Sequence, residues 1–486
     1  MKRDSSKTVQ TAWVAIGNFF SFGFGIISSA ILSRYLDVYE YGLYKQIIFI
    51  YSTLLIVFTF GIPRAYAVYL PKVSINEGKH VVGKISRILF VLGIILTFIL
   101  FVGADLIADI LNNAALSRLL KLFSIVPLLM IPTMENILVT YKYSYLNTIY
   151  VCFSKLLLLI CVVLPVILYK PTCEIAIIGF VIASFIISIV GWMLKNIPFK
   201  SLVNMSNTTV TFKGIFAFSI PLLFAGIFGI LIQTADQFFI SRYFGTETFA
   251  IYSNGALELP FVSIIVGATS TVLLPFFSKE LNKDRGNTEI VCNTVLLKSA
   301  KIIYPILIYC WVFATEIMIF LYGEQYASSA NFFRISSMVN FANIFTFAPL
   351  VIAAGRVKSY AFVMFITSIL LYGVDFCLIS LFEISPLCLT FISLVCKIIS
   401  VILMSFLLKK ITGFKLLNVI PWKTMIRIIL LSSIAGAISF ILSKYLPNGS
   451  VLTILILSFI SYSLLYMFMA YKIIDYTGLF KFIKWK

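Results

Sequence analysis

Apolar stretches about twenty residues long recur along almost the whole chain, from Thr11 to Tyr471, with only short polar breaks between them. A helix needs about 20 mostly apolar residues to cross about 30 Å of hydrocarbon. The chain is 61% apolar and 12% charged, whereas a soluble domain is about 45–50% apolar and about 25% charged. No water-soluble packing hides that much apolar surface. Because the apolar runs are not confined to one end, a signal peptide or a single anchor is excluded. The Lys-rich start, Met1 to Gln10, leads into an apolar run reaching Ser33 that is longer than a signal h-region, so it is expected to be retained as the first helix.

On this basis the chain is predicted to be an all-α, polytopic membrane protein of fourteen spans, give or take two. They lie at 11–33, 43–62, 85–111, 117–141, 148–168, 174–195, 213–242, 249–278, 293–322, 330–354, 357–383, 385–409, 424–447 and 449–475. The least secure division is the turn from Glu383 to Pro386, which splits one long apolar run. Lys and Arg collect near the cytoplasmic ends of membrane helices. With the N-terminus in the cytoplasm, 29 of these residues fall inside and eight outside, the eight being Arg34, Lys45, Arg118, Lys121, Lys170, Arg242, Arg334 and Lys444. Both termini are therefore expected to be cytoplasmic. The same count accounts for most of the +19 net charge, so the basic balance does not point to nucleic acid; it suits anionic headgroups at the inner leaflet.

The eight cysteines lie mostly within spans and form no C-x-x-C pair, so they read as small packing residues. His80 is the only histidine. That removes His-dependent metal sites and His-based catalytic triads. No G-x-S-x-G, P-loop or pair of carboxylates on a long external loop is present. Neither catalytic residues nor a cofactor are expected, and transport without ATP hydrolysis follows.

An internal repeat organises the chain. Ser33-Arg34-Tyr35-Leu36, then Tyr41-Gly42-Leu43-Tyr44, is matched at an offset of 208 by Ser241-Arg242-Tyr243-Phe244, then Phe249-Ala250-Ile251-Tyr252; four of the eight pairs are identical and four conservative. Six helices separate the copies, so the halves run in the same sense, a form transporters often take with the substrate site between the halves. The expected organisation is a six-helix lobe in 1–200, a second in 201–410, and two additional helices with a tail in 411–486.

Several residues could carry function. A charged side chain at a helix centre costs about 2.5–3.5 kcal/mol on insertion scales and usually faces a cavity or a partner. Lys397 is placed this way, set to serve substrate or to pair with Asp375 or Glu258. Gln233, Asp236, Gln237 and Ser241 form a polar stripe ending in Arg242, and Glu258 is expected about nine residues into the eighth helix, facing the same cavity. Arg34 and Arg242, equivalent in the two halves, offer planar forks suited to phosphate oxygens, although either suits an ordinary interfacial arginine. Lys155 in the fifth helix either snorkels to the cytoplasm or faces substrate. Of the prolines within spans, Pro221 and Pro260 are the preferred hinges, since proline removes a backbone hydrogen bond and favours a kink.

The segment from Ser33-Arg34-Tyr35-Leu36 through Tyr41-Gly42-Leu43-Tyr44-Lys45-Gln46 resembles the first-helix region of the oligosaccharide flippase, or polysaccharide biosynthesis protein, family. This family belongs to the multidrug/oligosaccharidyl-lipid/polysaccharide exporter superfamily. Ser219-Ile220-Pro221-Leu222, Asp236-Gln237-Phe238, Ala250-Ile251-Tyr252-Ser253, Glu258-Leu259-Pro260, Leu274-Pro275, Tyr322-Gly323-Glu324-Gln325-Tyr326 and Ala354-Gly355-Arg356-Val357-Lys358 extend the resemblance over at least 10–360. One departure is Asp37-Val38 where the family commonly has Gly-Pro; it puts an external loop in doubt. The resemblance implies a flippase in the bacterial cytoplasmic (inner) membrane. It would move undecaprenyl-pyrophosphate-linked oligosaccharide, a repeat unit of O-antigen, capsule or a similar polymer, by alternating access between two six-helix lobes. It would also place a polysaccharide polymerase and a chain-length regulator among the partners. The main rival is a cation-coupled multidrug exporter of the same superfamily, which would be expected to use carboxylates of the N-terminal half, with Glu135, Asp105 and Asp109 as candidates. A membrane polymerase would need a long external catalytic loop, which the chain lacks.

Overall fold

The computed structural model describes residues 6–59, 61–130, 135–200, 208–280, 285–345, 347, 350–351, 354–413, 419–445 and 450–471. Among them all regular structure is helical. Ten helices are long and apolar enough to cross a membrane, or eleven if one bent pair forms a single span. Large apolar side chains such as Phe98, Trp192 and Phe468 stand exposed, as lipid-facing surfaces require. The chain divides into two compact units, Met1–Ile251 and Tyr252–Lys486.

The first unit holds α1 (Lys7–Tyr35), α2 (Val38–Phe58), α3 (Pro63–Tyr69), α4 (Ile75–Val102), α5 (Ala104–Ile110), α6 (Ala115–Phe123), α7 (Val126–Met130), α8 (Glu135–Thr140), α9 (Ser144–Leu168), α10 (Cys173–Lys195) and α11 (Phe212–Tyr243). Helix α12 (Gly245–Gly255) begins in it and ends in the second unit. Two expected spans break here. The 85–111 run stops at Gly103, whose N–H closes on the Ile99 carbonyl at 2.8 Å before α5 begins. The 117–141 run becomes three short helices, with Pro127 in α7 and Pro132 outside the described residues. Hydropathy registers apolarity and not the continuity of a helix, so proline and glycine breaks escape it. Helix α1 lies along α9, where Thr148 Oγ1 donates to the Trp13 carbonyl at 2.6 Å. Helix α9 meets α10 almost backbone to backbone: a Cβ at Gly179 would stand 1.9 Å from the Cys161 carbonyl oxygen, the close approach small residues permit in membranes.

The second unit continues with α13 (Pro260–Glu280), α14 (Arg285–Val312), α15 (Ala314–Tyr322), α16 (Ser329–Asn343), α17 (Val357–Leu381), α18 (Pro386–Thr412), α19 (Trp422–Lys444) and α20 (Val451–Ala470). The eighth expected span, 249–278, is broken over Ala256–Leu259, and Pro260 opens α13 instead of kinking a continuous helix. The tenth expected span is interrupted after Asn343, with Phe347, Leu350 and Val351 helical again, and Pro349 lies outside the described residues. The insecure turn is found as expected, since α17 ends at Leu381 and Pro386 occupies the first position of α18, where its missing N–H costs nothing.

The last two helices dock on α14. Tyr462 donates its hydroxyl proton to the Pro305 carbonyl at 2.7 Å, and Tyr309 on α14 donates to the Leu455 carbonyl on α20 at 2.8 Å. With Phe313, Ala435 and Tyr466 these tyrosines form a shared core, so α19 and α20 belong to the packing of the second unit.

Candidate functional site

The repeat in the sequence reappears as matched helix ends. In α1 the Leu36 N–H closes on Leu32 at 2.9 Å, and in α11 the equivalent Phe244 N–H closes on Ile240 at 3.1 Å. Ser33 and Ser241 are both buried. After the turn the copies differ. Gly245 takes φ +82 as the first residue of α12, whereas Asp37 is extended, and its Oδ1 accepts from the Glu40 N–H at 2.7 Å to cap α2. That settles the loop conformation left in doubt by the missing Gly-Pro, and it starts α2 five residues earlier than the apolarity suggests.

The earlier start carries Gln46 inside the bundle, where it is fully buried. Its Nε2 donates to Ser241 Oγ at 2.8 Å, and its Oε1 accepts from Asn113 Nδ2 at 2.8 Å. Asn113 Nδ2 also donates to Thr246 Oγ1 at 2.8 Å. The α5–α6 turn presents Asn113 because Asn112 takes the left-handed conformation, φ 50, which asparagine tolerates, and because the Asn113 N–H closes on the Ala108 carbonyl. This chain of amides and hydroxyls joins α2, the α5–α6 turn and the α11–α12 corner. Beside it Gly42 abuts Thr246 so closely that a Cβ would meet the Thr246 carbonyl oxygen at 2.4 Å. Phe49 and Phe249 pack with ring centroids 5.8 Å apart. Each buried neutral hydrogen bond contributes about 1 kcal/mol, and leaving a partner unsatisfied costs about 1–3 kcal/mol. The arrangement therefore clasps the start of the second repeat copy onto the first half at the Arg34 end of the helices.

At the opposite end α11 is also held. Tyr69 donates to the Gly214 carbonyl at 2.9 Å, Lys84 Nζ donates to the Val210 carbonyl at 2.8 Å, and Tyr69 packs edge-on against Phe218.

The expected site residues are distributed as follows. Arg242 donates to the Ile110 carbonyl and lies 5.3 Å from the Tyr243 ring, so its guanidinium seats α11 on α5. Arg34 is exposed in the last turn of α1, Lys155 is exposed midway along α9, and Asp236 is buried in α11. Glu258 is not within a helix: it stands exposed in the break between α12 and α13, because the backbone leaves helical geometry before Pro260. Lys397 is half-buried on α18, and Asp375 is fully buried on the neighbouring α17. Helix α11 runs unbroken past Pro221, whose side chain lies outside the described residues. Of the carboxylates a cation-coupled exporter would use, Asp105 and Asp109 are exposed on the short α5. Asp105 accepts from Ser117 and is paired with Lys121 at 2.9 Å. These contacts, the Ser117 hydrogen bond foremost, hold its carboxyl below the ordinary range. The Glu135 side chain lies outside the described residues. Among the described residues no cluster of His, Cys, Asp and Glu could hold a metal ion.

One cation was misread from the sequence. Lys45, assigned above to an external helix edge, is the eighth residue of α2, half-buried inside the span. Its Nζ donates to Ser29 Oγ on α1 at 3.1 Å and lies 5.2 Å from the Tyr41 ring. The signal that could have found it is Asp37, a good N-cap residue followed by Glu40 in the first turn.

A family model described as polysaccharide biosynthesis protein matches residues 31–331. The chain belongs to that family. The match spans both repeat copies, and so covers every member of the clasp and Lys45. Among curated proteins none matches. The fold is similar to that of lipid II flippase MurJ in an inward closed conformation, with a TM-score of 0.67 at 17% identity over 94% of this chain and 98% of the other. It is also similar to a mutant of the Vibrio cholerae MATE transporter VcmN, with a TM-score of 0.55 at 15% identity over 85% of this chain and 97% of the other. A MOP-superfamily transporter from Pyrococcus furiosus, described as having a binding pocket of reverse polarity, gives 0.56 at 10% identity over 84% and 99%. These likenesses establish the fold: this member of the polysaccharide biosynthesis family is a multi-pass membrane protein folded like a lipid II flippase and MATE transporters.

Proposed function

We propose that the protein is a flippase for undecaprenyl-pyrophosphate-linked oligosaccharide, moving repeat units of a surface polysaccharide such as O-antigen or capsule from the cytoplasmic to the outer leaflet of the bacterial inner membrane. The observation that carries this reading is the clasp of Gln46, Asn113, Ser241 and Thr246, a small, fully hydrogen-bonded closure joining the two repeat copies at one end. With both termini cytoplasmic, that end faces outward. Breaking three neutral hydrogen bonds is within reach of substrate binding energy, so the clasp suits an outer gate in alternating access between six-helix lobes at 1–200 and 201–410. The protein then acts as a transporter and not as an enzyme, with a polysaccharide polymerase and a chain-length regulator as downstream partners. Arg34, Lys155, Arg242 and Lys397 are the proposed cations along the substrate path, Asp236 and Glu258 its polar lining, and Pro221 and Pro260 its hinges.

The rival, a cation-coupled multidrug exporter, has in its favour the fold likeness to VcmN. The exposure of Asp105 and Asp109, and the engagement of Asp105 with Ser117 and Lys121, speak against it. Deleting the gene and analysing lipid-linked intermediates tests the proposal. Accumulation of the complete repeat unit on the cytoplasmic leaflet is the expected result; unchanged intermediates with altered drug sensitivity would reject the flippase reading.

A further inference from the structure

A cavity of about 420 Å³ lies in the first unit, at the far end of α1 from Arg34. Gln10 of α1 lines one side and Leu70 and Pro71, in the single turn after α3, another; Val139 and Lys142, at and just after the end of α8, line the third. In the proposed orientation this end is cytoplasmic. Trp13, one turn along α1 from Gln10, is exposed, and tryptophan collects at the membrane–water interface. The cavity is therefore at headgroup depth. Its volume is near the lower end for ligand pockets, about 300–1,000 Å³, which suits a small headgroup rather than a repeat unit of several sugars.

Lys142 is held there against its backbone preference. Its N–H closes on the Val139 carbonyl at 3.0 Å, and the Tyr143 N–H closes on the Leu138 carbonyl at 2.8 Å. These are the paired bonds of a Schellman turn, whose left-handed position is usually glycine and sometimes asparagine. Here lysine occupies it, with φ 64. The other left-handed non-glycine among the described residues is Asn112, a residue type that tolerates the conformation. Packing on both sides keeps the turn from relaxing. The Tyr141 ring lies edge-on to Phe199, with centroids 5.2 Å apart, and its hydroxyl fills the space left by the absent Cβ of Gly78. Tyr143 is buried with Leu138 and Leu146. Strain of this kind persists at ligand clamps, and lysine gives the turn a charge that glycine lacks.

That charge is unmatched. Neither the Lys142 ammonium nor the Gln10 amide has a hydrogen-bond or ion-pair partner among the described residues. The ion pairs of those residues, Arg118 with Glu174 and Lys121 with Asp105, belong to the clasped end. At the cavity end Glu77 is already engaged, accepting from Ser74 at the start of α4. Val9, Trp13, Ile16 and Phe20 are exposed on α1 at helical spacing, an apolar strip that begins beside Gln10 and runs into the bilayer. An unpaired cation, an amide donor and apolar walls leading to such a strip match a molecule that carries one phosphate and acyl chains. We infer that the cavity is a site for an anionic phospholipid of the inner leaflet, with its phosphate on Lys142 and Gln10 and its chains along α1. The bound lipid buttresses the Leu70–Pro71 turn, next to Tyr69, which holds α11 through the Gly214 carbonyl. It thereby favours closure of the inner end and is separate from the transported substrate.

The test titrates the purified full chain in detergent with short-chain phosphatidylglycerol, phosphatidylcholine, glycerol 3-phosphate and undecaprenyl diphosphate. Wild type should bind phosphatidylglycerol at least about fivefold more tightly than phosphatidylcholine, as one interfacial lysine supplies. Lys142→Gly suits the left-handed turn, so it should keep or raise the melting midpoint while removing most of that preference. Gln10→Leu should weaken phosphatidylglycerol binding about threefold, as loss of one hydrogen bond does. Lys213→Gln, at an exposed position of the same end outside the cavity, should change it by less than about twofold, because solvent and salt screen such a charge. Equal losses in Lys213→Gln and Lys142→Gly would show diffuse attraction to a basic surface and overturn the site, as would an unchanged preference in Lys142→Gly. Glycerol 3-phosphate binding as tightly as phosphatidylglycerol overturns the lipid assignment. Displacement of phosphatidylglycerol by undecaprenyl diphosphate at equal affinity overturns the separate site and leaves the flippase reading standing.

Discussion

Replacing Gln46 by Leu should open the clasp. Leucine keeps most of the buried volume but removes the donor to Ser241 and the acceptor for Asn113, both at 2.8 Å and both buried. Asn113 retains Thr246 as one partner, and Ser241 can turn back to its own helix, so the loss is smaller than two fully orphaned groups. Two net hydrogen bonds and partial desolvation penalties give about 2–4 kcal/mol against the clasped arrangement. At about 1.4 kcal/mol per tenfold, the ratio of clasped to unclasped protein falls roughly 30- to 700-fold. The population follows from spin labels at Tyr39→Cys and Glu247→Cys, exposed positions on α2 and α12, in a background without the eight native cysteines. Pulsed dipolar spectroscopy should give a single short distance with Gln46 present, and a longer component dominating in Gln46→Leu. A Ser241→Ala double-mutant cycle should show coupling of about 1 kcal/mol. An unchanged distance distribution in Gln46→Leu would refute the view that these hydrogen bonds hold the end shut.

Gly42→Ala should act on the same equilibrium through sterics, since its Cβ would sit 2.4 Å from the Thr246 carbonyl oxygen and 2.7 Å from Thr246 Cγ2. An overpacking cost of about 1–3 kcal/mol should lengthen the same spin-label distance, whereas Gly83→Ala, with nothing within 4 Å, should not. Tyr462→Phe removes the hydroxyl bonded to Pro305 and should cost about 1 kcal/mol, read as a drop of a few degrees in the melting midpoint in detergent. The Asp105 carboxyl is held below its ordinary range by Ser117 and then Lys121, so its contribution to the α5–α6 corner is present above the unfolded carboxylate pKa. That contribution is lost only as pH falls through the lower folded value. The protection of α5 amides, measured relative to their intrinsic exchange at each pH, should therefore persist down to the ordinary carboxylate range and fall below it, and Asp105→Asn should lower that protection and make it independent of pH in that window.

Legibility differed sharply between the parts of this molecule. The long spans were readable because a helix in lipid must be apolar along its whole length, and α1, α9, α10, α17, α18, α19 and α20 lie close to where the apolar runs put them. The spans at 85–111, 117–141 and 249–278 were not, because a break at Gly103, at Ser124–Ile125 or before Pro260 barely changes local apolarity. The same blindness misplaced Glu258, which the structure moves out of a helix, whereas Lys45, expected in the first turn of its span, lies deeper because Asp37 starts α2 earlier.

Sequence by itself determined that the chain spans a membrane many times and carries two copies of one helix end, because both properties are local and repeat in the residues themselves. Ser33, Ser241 and Gly42 were already visible as members of that repeat. Only the tertiary structure decided what the repeat does. Asn113 stands 67 residues from Gln46 and 133 from Thr246, and none of the three is unusual for its segment. Amides and hydroxyls bond any partner of suitable geometry, so which of them meet is a property of the packed helices and leaves no pattern in the order of the residues.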